Sequence, residues 1–441
     1  MKKILIIIVI PALMFSFTAC SKNSDNEIEA QGSIEEVTII DEPEKPVETA
    51  APIIPEETLS IHLKVSTAQS IIPADLSAHD LVARMGVGWN LGNTFDAYSS
   101  SSSAGGRLTG DITAIETAWV GQGNETTQSL IQTIKSFGFD TIRIPVTWHK
   151  VADPDDNWKI REDWLERLKT VVDWIMEEDM FVIINSHHDD NYYLLAEGDA
   201  TLDEHEGRQF VLNIWSQVVS VFNDDYDEKL IFEALNEPRT RGVSHEWWGE
   251  VPQSELDNLN ILCQVFVDTV RASGGNNQHR VLMIPTYAAS IRPHSLNGFV
   301  IPGDPLNSVN KIIMSVHTYA PFEWAHNGKD TYKGASSMQW DFSSIEQAAQ
   351  RLDIPVILGE WASIATATGS ADQELRDSQR VEHAEDFVRE ASRRGFVCIW
   401  WDNGGFNEGD HSFGIIRRDY PHEVNDISQE IISAIMRGLE Q

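Results

Sequence analysis

The chain has 441 residues and a formal net charge of −35, from 68 acidic and 33 basic side chains. A surface this acidic repels nucleic acid and anionic lipid, so it excludes nucleic acid as a partner and favours an uncharged ligand. The chain has three cysteines, and no cysteine or histidine spacing is typical of a zinc site. A structural or catalytic zinc site therefore has no support, and we expect no other metal or cofactor.

The first twenty residues have the pattern of an export signal. Lys2 and Lys3 precede an apolar run, Ile4 to Phe17, that is too short to span a bilayer as a mature helix. The run closes on Thr18-Ala19-Cys20, with a small residue before a cysteine, as in bacterial lipoprotein signals, although leucine is usual where Phe17 stands. This predicts a signal peptide over residues 1–20 and lipidation of Cys20. An ordinary secretory signal that contains a cysteine is the alternative.

A lipid chain on Cys20 would tie the protein to a membrane without spanning it. We therefore expect an exported protein of the bacterial cell envelope, anchored to the outer membrane at its surface or its periplasmic face. Residues 21–73 are rich in acidic residues and proline, which predicts an extended linker. Residues 74–441 have the composition of one globular domain. Its two cysteines, Cys263 and Cys398, are interpreted as buried free thiols, and a disulfide between them is the alternative.

The globular part alternates between short β-rich runs and helical patterns. Eight strands are predicted, at Gly86–Trp89, Thr141–Pro145, Phe181–Asn185, Leu230–Ala234, Val281–Pro285, Lys311–Val316, Pro355–Leu358 and Phe396–Trp400. Five helices are clear between them, at Glu125–Phe137, Glu162–Glu178, Arg208–Phe222, Glu255–Ala272 and Gln379–Arg394. Strands separated by helices imply parallel strands with right-handed crossovers.

This alternation predicts an α/β fold of the (β/α)8 barrel type, in a single domain. A doubly wound open sheet is the competing arrangement. Such a sheet usually carries a glycine-rich phosphate loop after its first strand. Here the first strand runs into Trp89-Asn90-Leu91-Gly92-Asn93, which lacks that pattern.

Polar side chains gather at the carboxyl ends of these strands, where a barrel builds its site. Arg143 lies inside an apolar strand, where a charge is costly unless it is paired, and a purely structural ion pair is the alternative. His187 and His188 end the third strand. Because adjacent residues of a strand point to opposite faces, we expect one ring in the site and the other outward, without a metal between them.

Two glutamates carry the strongest signal. Glu237 follows Asn236 at the end of the fourth strand, and Glu360 comes directly after the apolar seventh strand. His317 and Tyr319 are two residues apart, so they face the same way in a regular strand. One glutamate at a strand end is usually a solvated loop residue. So many polar groups at the ends of one set of strands are not explained by packing.

Taken in order, these strings resemble glycoside hydrolase family 5, and in detail its subfamily 4 of endo-β-1,4-glucanases and xyloglucanases. The resemblance covers about residues 84–403. Asn-Glu-Pro alone recurs across related barrel hydrolases, whereas the ordered set is specific. The matching strings are Gly88-Trp89-Asn90-Leu91-Gly92-Asn93-Thr94, the Arg143 strand, His187-His188, Leu235-Asn236-Glu237-Pro238, His317-Thr318-Tyr319, Gly359-Glu360-Trp361 and Trp400-Trp401-Asp402-Asn403.

The resemblance implies a retaining hydrolase with Glu237 as acid/base and Glu360 as nucleophile. Arg143 and the Tyr319 hydroxyl are suited to keeping Glu360 ionised. His317 is expected to orient Glu237, and the charge of Glu360 is expected to raise the pKa of Glu237 so that it holds a proton.

The resemblance also implies sugar contacts. Asn236 is expected at the 2-hydroxyl of the sugar being cut, His188 and His187 at its other hydroxyls, and Asn90 facing the same sugar. Trp401 is expected as the floor, with Trp400 as the alternative. Tryptophan suits a sugar ring because of its broad face, so six loop tryptophans are candidates for the cleft, with core packing as the alternative: Trp119, Trp148, Trp247, Trp248, Trp324 and Trp340. Trp247, Trp248 and Trp324 are preferred as product-side platforms.

The predicted activity is a retaining endo-β-1,4-glucanase, a monomer that cuts cellulose, mixed-linkage β-glucan or xyloglucan. A mannanase or xylanase on the same barrel is the alternative enzyme, because the residues do not show how the site treats an axial 2-hydroxyl. A surface glycan-binding lipoprotein without catalysis is the alternative from another class. The presence of both glutamates speaks against it.

Overall fold

The structure is a computed structural model that describes residues 60–97, 110–366, 372–406 and 412–440. The predicted signal peptide, Cys20 and most of the predicted linker lie outside the described residues. Among the helices of the described residues, none combines the length and hydropathy needed to cross a bilayer.

Eight parallel strands close into a barrel. Each pairs with its neighbour in the chain, and the first closes against the last, with Val87 opposite Cys398. An open sheet would leave these two strands as unpaired edges, so the (β/α)8 prediction is confirmed and the doubly wound sheet is excluded. The strands are β1 (Val87–Asn90), β2 (Thr141–Ile144), β3 (Phe181–Asn185), β4 (Leu230–Glu233), β5 (Leu282–Pro285), β6 (Ile312–His317), β7 (Val356–Trp361) and β8 (Val397–Trp400).

One helix follows each strand as the main connection. These helices are α1 (Gln128–Ser136), α2 (Glu162–Glu177), α3 (Glu206–Val221), α4 (Gln253–Ala272), α5 (Pro293–Gly298), α6 (Gln339–Leu352), α7 (Gln373–Ser392) and α8 (Asp426–Leu439). Shorter helices at Ala78–Val82, Ile112–Glu116 and Phe322–Ala325, and a hairpin of Ala152–Asp153 with Lys159–Ile160, lie outside this alternation.

The helices form because one face of each is apolar. In α2, Trp164, Leu168, Val171 and Ile175 recur every three or four residues and are buried. Each such side chain contributes about 1.5–3 kcal/mol through burial. The ends depend on caps, which are harder to predict. Helix α7 begins well before the predicted Gln379 because the Asp372 side chain accepts hydrogen bonds from the first free amides.

The barrel interior changes from apolar to polar along the strands. At the end where the strands begin, Ile183, Ile231 and Met283 pack with the helix Ala78–Val82. Towards the carboxyl ends, buried polar side chains meet across the barrel. Arg143 of β2 bonds to Glu233 of β4, which accepts a bond from Ser315 of β6. The polar end of the barrel is therefore where a site can form.

The segment from Ser60 to Pro73 lies against the outer helices. Ser60 Oγ donates to Asn213 of α3 at 2.7 Å, and the Ser66 amide donates to the Ser273 carbonyl, just after α4, at 2.7 Å. These residues belong to the predicted linker, so its last part packs on the barrel. The domain start at residue 74 stays a prediction.

Cys263 on α4 and Cys398 on β8 are free and buried. Burial raises the pKa of both thiols. The interpretation as buried free thiols is confirmed.

Candidate active site

A cleft of about 480 Å³ opens at the carboxyl ends of the strands. This volume is within the range of sites that hold small ligands. Eight of the predicted site residues line it: His187, His188, Asn236, Glu237, His317, Tyr319, Glu360 and Trp401. The topology therefore brings together residues that are far apart in the sequence.

The two glutamates face each other across this cleft. An oxygen of Glu237 and an oxygen of Glu360 lie within 4.8 Å of each other. Retaining glycosidases hold their carboxyl groups about 5–5.5 Å apart, whereas inverting enzymes need roughly 6.5–9.5 Å to admit a water molecule. The observed spacing fits direct attack by one carboxylate.

Glu360 is placed by a β-bulge. Val316 of β6 pairs with Leu358, but the next residue, His317, pairs with Glu360, so Gly359 is an extra residue in β7. A Cβ at position 359 would lie 2.8 Å from His317 Nε2, so the ring packs there only because residue 359 is glycine. The predicted strand end at Leu358 is therefore wrong. The strand continues through the bulge and carries Glu360 into the cleft.

Arg143 is fully buried and orients the groups around it. Its Nη1 donates to Glu360 Oε1 at 3.1 Å, and its Nη2 donates to Asn236 Oδ1 at 2.6 Å. Since this bond fixes the Asn236 amide, its NH₂ group is the part turned to the cleft. Arg143 thus acts on the cleft through Glu360 and Asn236. It is fully buried and does not line the cleft, so it is not placed to contact a sugar directly.

Glu233 is a site residue that the sequence argument missed. Arg143 Nε donates to Glu233 Oε2 at 2.7 Å, and Ser315 Oγ donates to Oε1 at 2.6 Å. The buried guanidinium therefore has two carboxylate partners, Glu233 and Glu360. A signal was available, since Glu233 ends the apolar strand Leu230-Ile231-Phe232 and a buried arginine requires a partner.

His317 and Tyr319 contact the two glutamates. His317 Nδ1 lies 2.9 Å from Glu237 Oε1 and 3.7 Å from Glu360 Oε2. The Tyr319 hydroxyl donates to Glu360 Oε2 at 3.0 Å. One imidazole therefore lies between both carboxylates and is placed to exchange a proton with Glu237.

In the site without substrate, the surrounding charges place the shared proton on His317 and not on Glu237. Burial lowers the pKa of His317, but Glu360 and Glu237 together raise it above its ordinary value. Burial raises the pKa of Glu237, yet the hydrogen bond and charge of His317, with Arg239 and His188, bring it below its ordinary value. The expectation that the charge of Glu360 raises the pKa of Glu237 enough for it to hold a proton is therefore wrong for the free site, because His317 lowers that pKa more strongly.

Glu360 has a different setting. Burial and the charge of Glu237 raise its pKa, while His317, Arg143 and the Tyr319 hydroxyl oppose that rise. Only 6 % of Glu360 is exposed, so its charge depends on these partners and not on water. The two carboxyl groups therefore titrate as one system with His317.

Both histidines of the adjacent pair line the cleft. Their rings lie 4.4 Å apart, centroid to centroid. The prediction that one ring turns outward is wrong, because β3 ends at Asn185 and strand alternation does not continue into the loop. His188 Nε2 lies 3.6 Å from Oδ2 of buried Asp96, a residue the sequence argument did not select. Burial lowers the pKa of His188, and Asp96 raises it above the ordinary value.

The tautomer of His187 is set by Asn185. Asn185 Oδ1 accepts from the Val146 amide, so its amino group donates to His187 Nδ1 at 3.2 Å. Burial, with nearby positive charges, holds the pKa of His187 well below its ordinary value. Neutral His187 therefore carries its proton on Nε2, as a donor 3.9 Å from Glu360 Oε1. Asp96, His187 and His188 lie close enough to hold a metal, and metal binding there would require His187 to release the proton on Nε2.

Trp401 forms the floor beside His187. The two rings are parallel within 5° at 5.7 Å. Gly92 makes this placement possible, since a Cβ there would lie 2.9 Å from Trp401 Cη2 and 2.8 Å from the Asp402 carbonyl oxygen. Trp400, the alternative floor, is fully buried and donates from Nε1 to the Phe413 carbonyl, so that alternative is wrong.

The family model for cellulases of glycosyl hydrolase family 5 matches residues 101–407. The chain belongs to glycoside hydrolase family 5. The barrel, the two facing glutamates and the strand-end motifs follow the resemblance inferred from the sequence.

Curated relatives agree with this family. The chain is 35% identical over 371 residues to the cellulase/esterase CelE of Acetivibrio thermocellus, covering 82% of this chain and 41% of that protein. It is 37% identical over 373 residues to endoglucanase A of Clostridium longisporum, covering 82% of this chain and 66% of that protein. The chain thus spans less than two thirds of the length of either relative.

A solved structure supports the subfamily. The GH5-4 broad specificity endoglucanase from Ruminococcus champanellensis, with bound cellotriose, is 33% identical and superposes with a TM-score of 0.72. The superposed part covers 83% of this chain and 100% of the R. champanellensis chain. This likeness places the family 5 domain near subfamily 4.

Two tryptophans expected in the cleft of this family 5 domain are core residues. Trp324 is only 2 % exposed and packs against Tyr332 and His383. Its neighbour Phe322, on the same short helix, lines the cleft instead. Trp148 is fully buried and donates from Nε1 to the Asn185 carbonyl. The preference for Trp324 as a platform is therefore wrong.

The four other candidate tryptophans are at least two-fifths exposed: Trp119, Trp247, Trp248 and Trp340, the last of which lies in the first turn of α6 and not in a loop. Trp247 and Trp248 line the cleft, and Trp119 lies 5.6 Å from the His188 ring. Two exposed tryptophans therefore belong to the wall of the cleft, and a third lies beside the cleft residue His188.

Asn90 supports the site from beneath. It is fully buried, its Oδ1 accepts from Arg143 at 2.9 Å, and its amino group donates to the Gly359 carbonyl at 2.9 Å. The expectation that Asn90 faces the sugar is wrong. Its amide ties β1 to the bulge that carries Glu360.

Replacing Gly92 with alanine tests the floor of the cleft. The added methyl group would collide with the Trp401 ring, so we expect an overpacking cost of about 1–3 kcal/mol in the free energy of unfolding. We also expect a higher KM for cello-oligosaccharides, because Trp401 must move. Gly110→Ala is the matched control, since a Cβ there meets nothing within 4 Å. Equal stability and KM in both variants would contradict this account of Gly92.

The pH profile follows from the shifted groups. As the expected nucleophile, Glu360 would have to be ionised, and its pKa is raised, so kcat/KM should rise with pH through a value above that of an ordinary glutamate, about 4.3. The proton shared by His317 and Glu237 is lost as pH rises through the raised pKa of His317, so the basic limb should lie above about 6.5. Initial rates on cellotetraose between pH 4 and 9 measure both limbs. A basic limb below the ordinary histidine value would contradict the shared proton.

Proposed function

We propose that this family 5 protein is a retaining endo-β-1,4-glucanase. The observation that carries the proposal is the pair Glu237 and Glu360, whose oxygens lie within 4.8 Å in an open cleft. Each has its own partner, since Glu237 bonds to His317 and Glu360 to Arg143 and Tyr319. Such unequal settings give two carboxyl groups two roles.

In the first step the sugar to be cut rests on Trp401, and its 2-hydroxyl accepts from the Asn236 amino group. The proton on His317 passes to Glu237 and then to the glycosidic oxygen, which leaves with the product-side chain. Glu360 attacks the anomeric carbon and forms a glycosyl ester. Arg143 and Tyr319 stabilise the Glu360 carboxylate until the ester forms.

In the second step Glu237 acts as base. It takes a proton from a water molecule that attacks the anomeric carbon, and the ester bond to Glu360 breaks. The proton returns to the His317–Glu237 pair, so the site is restored after one cycle. Two inversions at the same carbon leave the configuration unchanged.

The position of the aromatic rings supports cleavage within chains. Trp119 lies 5.6 Å from the His188 ring, and Trp247 and Trp248 line the cleft. We propose that Trp247 and Trp248 bind the product-side sugars and Trp119 the other end, so that a glucan chain extends in both directions from the bond that is cut. Cellulose, mixed-linkage β-glucan and xyloglucan all contain β-1,4-linked glucose. The R. champanellensis relative is a broad specificity endoglucanase, which supports several glucans as substrates.

A side-by-side assay tests the activity and the backbone. The chain without residues 1–20 would be given carboxymethylcellulose, barley β-glucan, xyloglucan and mannan, with reducing sugar and viscosity both followed. We expect release from the glucans with rapid loss of viscosity. Release from mannan alone would overturn the substrate but keep the two glutamates. No release from any of the four would favour a glycan-binding protein.

We also propose that Cys20 is lipidated and that the protein is anchored to the bacterial outer membrane. The signal-like sequence before Cys20 supports this, and the acidic residues between Cys20 and Ser60 would serve as a tether. Labelling with a fatty-acid analogue should mark the wild type and not Cys20→Ala, while Cys398→Ser, which changes a buried thiol, should still be labelled. Label retained in Cys20→Ala would overturn the proposal.

We propose that the protein acts as a monomer, because residues of a single chain supply both glutamates and the cleft around them. Light scattering of the active protein tests this. A dimer mass at assay concentration would contradict it.

A further inference from the structure

Arg239 lies between the acid/base glutamate and an exposed tryptophan. Its Nη1 donates to the main-chain carbonyl of Glu237 at 2.7 Å and lies 3.7 Å from Glu237 Oε2. On its other side, the guanidinium carbon lies 4.0 Å from the centre of the Trp247 ring. One buried guanidinium therefore touches both the reacting carboxyl group and the wall of the cleft beyond it.

Two acidic side chains hold Arg239 in this position. Asp190, whose side chain is 1 % exposed, accepts from Arg239 Nη1 at 2.7 Å. Glu246 Oε1 lies 3.4 Å from Arg239 Nε. Arg241 pairs with the other oxygen of Asp190 at 2.5 Å. Asp190 and Glu246 thus restrict the guanidinium to one position. Because the same rigid group contacts Glu237 and Trp247, a shift at one contact alters the other.

We infer that Arg239 is a positioning residue that couples the proton transfer of Glu237 to binding of the leaving sugar chain at Trp247. The inference rests on the proposed glucanase activity and assigns a role to a residue outside the glutamate pair. Cation–π contact fixes the plane of the Trp247 ring. A charge 3.7 Å from Oε2 favours the ionised form of Glu237, which must lose a proton to the leaving oxygen.

Other charged groups also face Glu237, and the effect of Arg239 on its protonation adds to theirs. His317 comes from β6, Glu360 from β7, and His188 from the loop after β3. Only Glu360 among these carries a negative charge. Removing Arg239 therefore leaves Glu237 with His317 and His188 as its positive neighbours and strengthens its hold on the proton.

The test compares Arg239→Met and Arg239→Lys with Arg241→Met. Arg241→Met is the matched control because it removes the same charge from the same partner, Asp190. In each purified variant we would measure the pH dependence of kcat/KM on cellotetraose. We would also measure kcat/KM on an aryl β-cellobioside with a good leaving group, which needs no proton and places no sugar beside Trp247.

For Arg239→Met we expect the basic limb to move up by about 1 pH unit, since a nearby positive charge is lost. We expect kcat/KM on cellotetraose to fall roughly tenfold to a hundredfold, as for loss of a bond to a charged group. The value of kcat/KM on the aryl substrate should fall much less. Arg239→Lys should keep the pH profile but not the cellotetraose KM, because lysine has the charge without the planar face.

Two results would overturn the inference. One is a pH profile of Arg239→Met that matches Arg241→Met. The other is an equal loss on both substrates, which would point to a general structural role. Either result would leave the glucanase assignment intact, because that depends on the wild-type protein releasing sugar from glucans.

Discussion

Replacing Glu360 with glutamine is expected to lower kcat on β-glucan by roughly 10⁴-fold or more, as loss of a nucleophile does in other enzymes. The amide keeps the size of the side chain but cannot form the glycosyl ester. Binding of cello-oligosaccharides should persist, because Trp401, Asn236 and the two histidines are unchanged. Activity close to that of the wild type would contradict the assignment of Glu360 as the nucleophile.

The fold should tolerate this substitution. Arg143 is buried between Glu233 and Glu360, and loss of one negative charge still leaves Glu233 at 2.7 Å. We therefore expect the melting temperature to change little. Glu323→Gln is the control, since Glu323 lies beside the cleft residue Phe322 on an exposed side of the same helix and pairs with Lys329. It should leave kcat unchanged.

Replacing Glu237 with alanine should give a loss that depends on the leaving group. A general acid contributes about 10²–10⁴-fold, so kcat/KM on cellotetraose should fall by that order. An aryl β-cellobioside with a good leaving group needs no proton, so its kcat/KM should fall far less. The measurement is the ratio of the two losses, and equal losses would contradict the acid role.

Azide gives an independent check on Glu237→Ala. With the carboxylate gone, a small anion can enter its place and attack the glycosyl ester without a base. We expect added azide to raise the turnover of the aryl substrate and to yield the β-glycosyl azide. An α-glycosyl azide would contradict attack on an ester of Glu360.

The fold and the reacting pair could be predicted because both follow from local patterns. Strand runs alternate with helices such as α2, and the two glutamates are acidic residues at the carboxyl ends of apolar strands, Glu237 just after β4 and Glu360 near the end of β7. These residues have no role in packing, so their position alone carries information. The barrel topology then brings them together.

Other features depend on contacts that a single sequence does not display. Glu233 could have been inferred as the partner of buried Arg143, since both are charges in apolar strands. By contrast, nothing in the sequence distinguishes exposed Trp247 from buried Trp324, because each lies in a connection between a strand and the next main helix, whose path is set by tertiary packing. The same holds for the proton on His317, which depends on distances to two carboxyl groups.

The proposed mechanism depends on a covalent bond between Glu360 and the sugar. A 2-deoxy-2-fluoro-β-cellobiosyl fluoride can trap this bond, because the fluorine at C2 slows both steps and the good leaving group restores the first. After digestion and mass spectrometry we expect the added sugar on the peptide that contains Glu360, and no label in Glu360→Gln. A label on another residue, or an active enzyme that takes no label and inverts its product, would contradict the account.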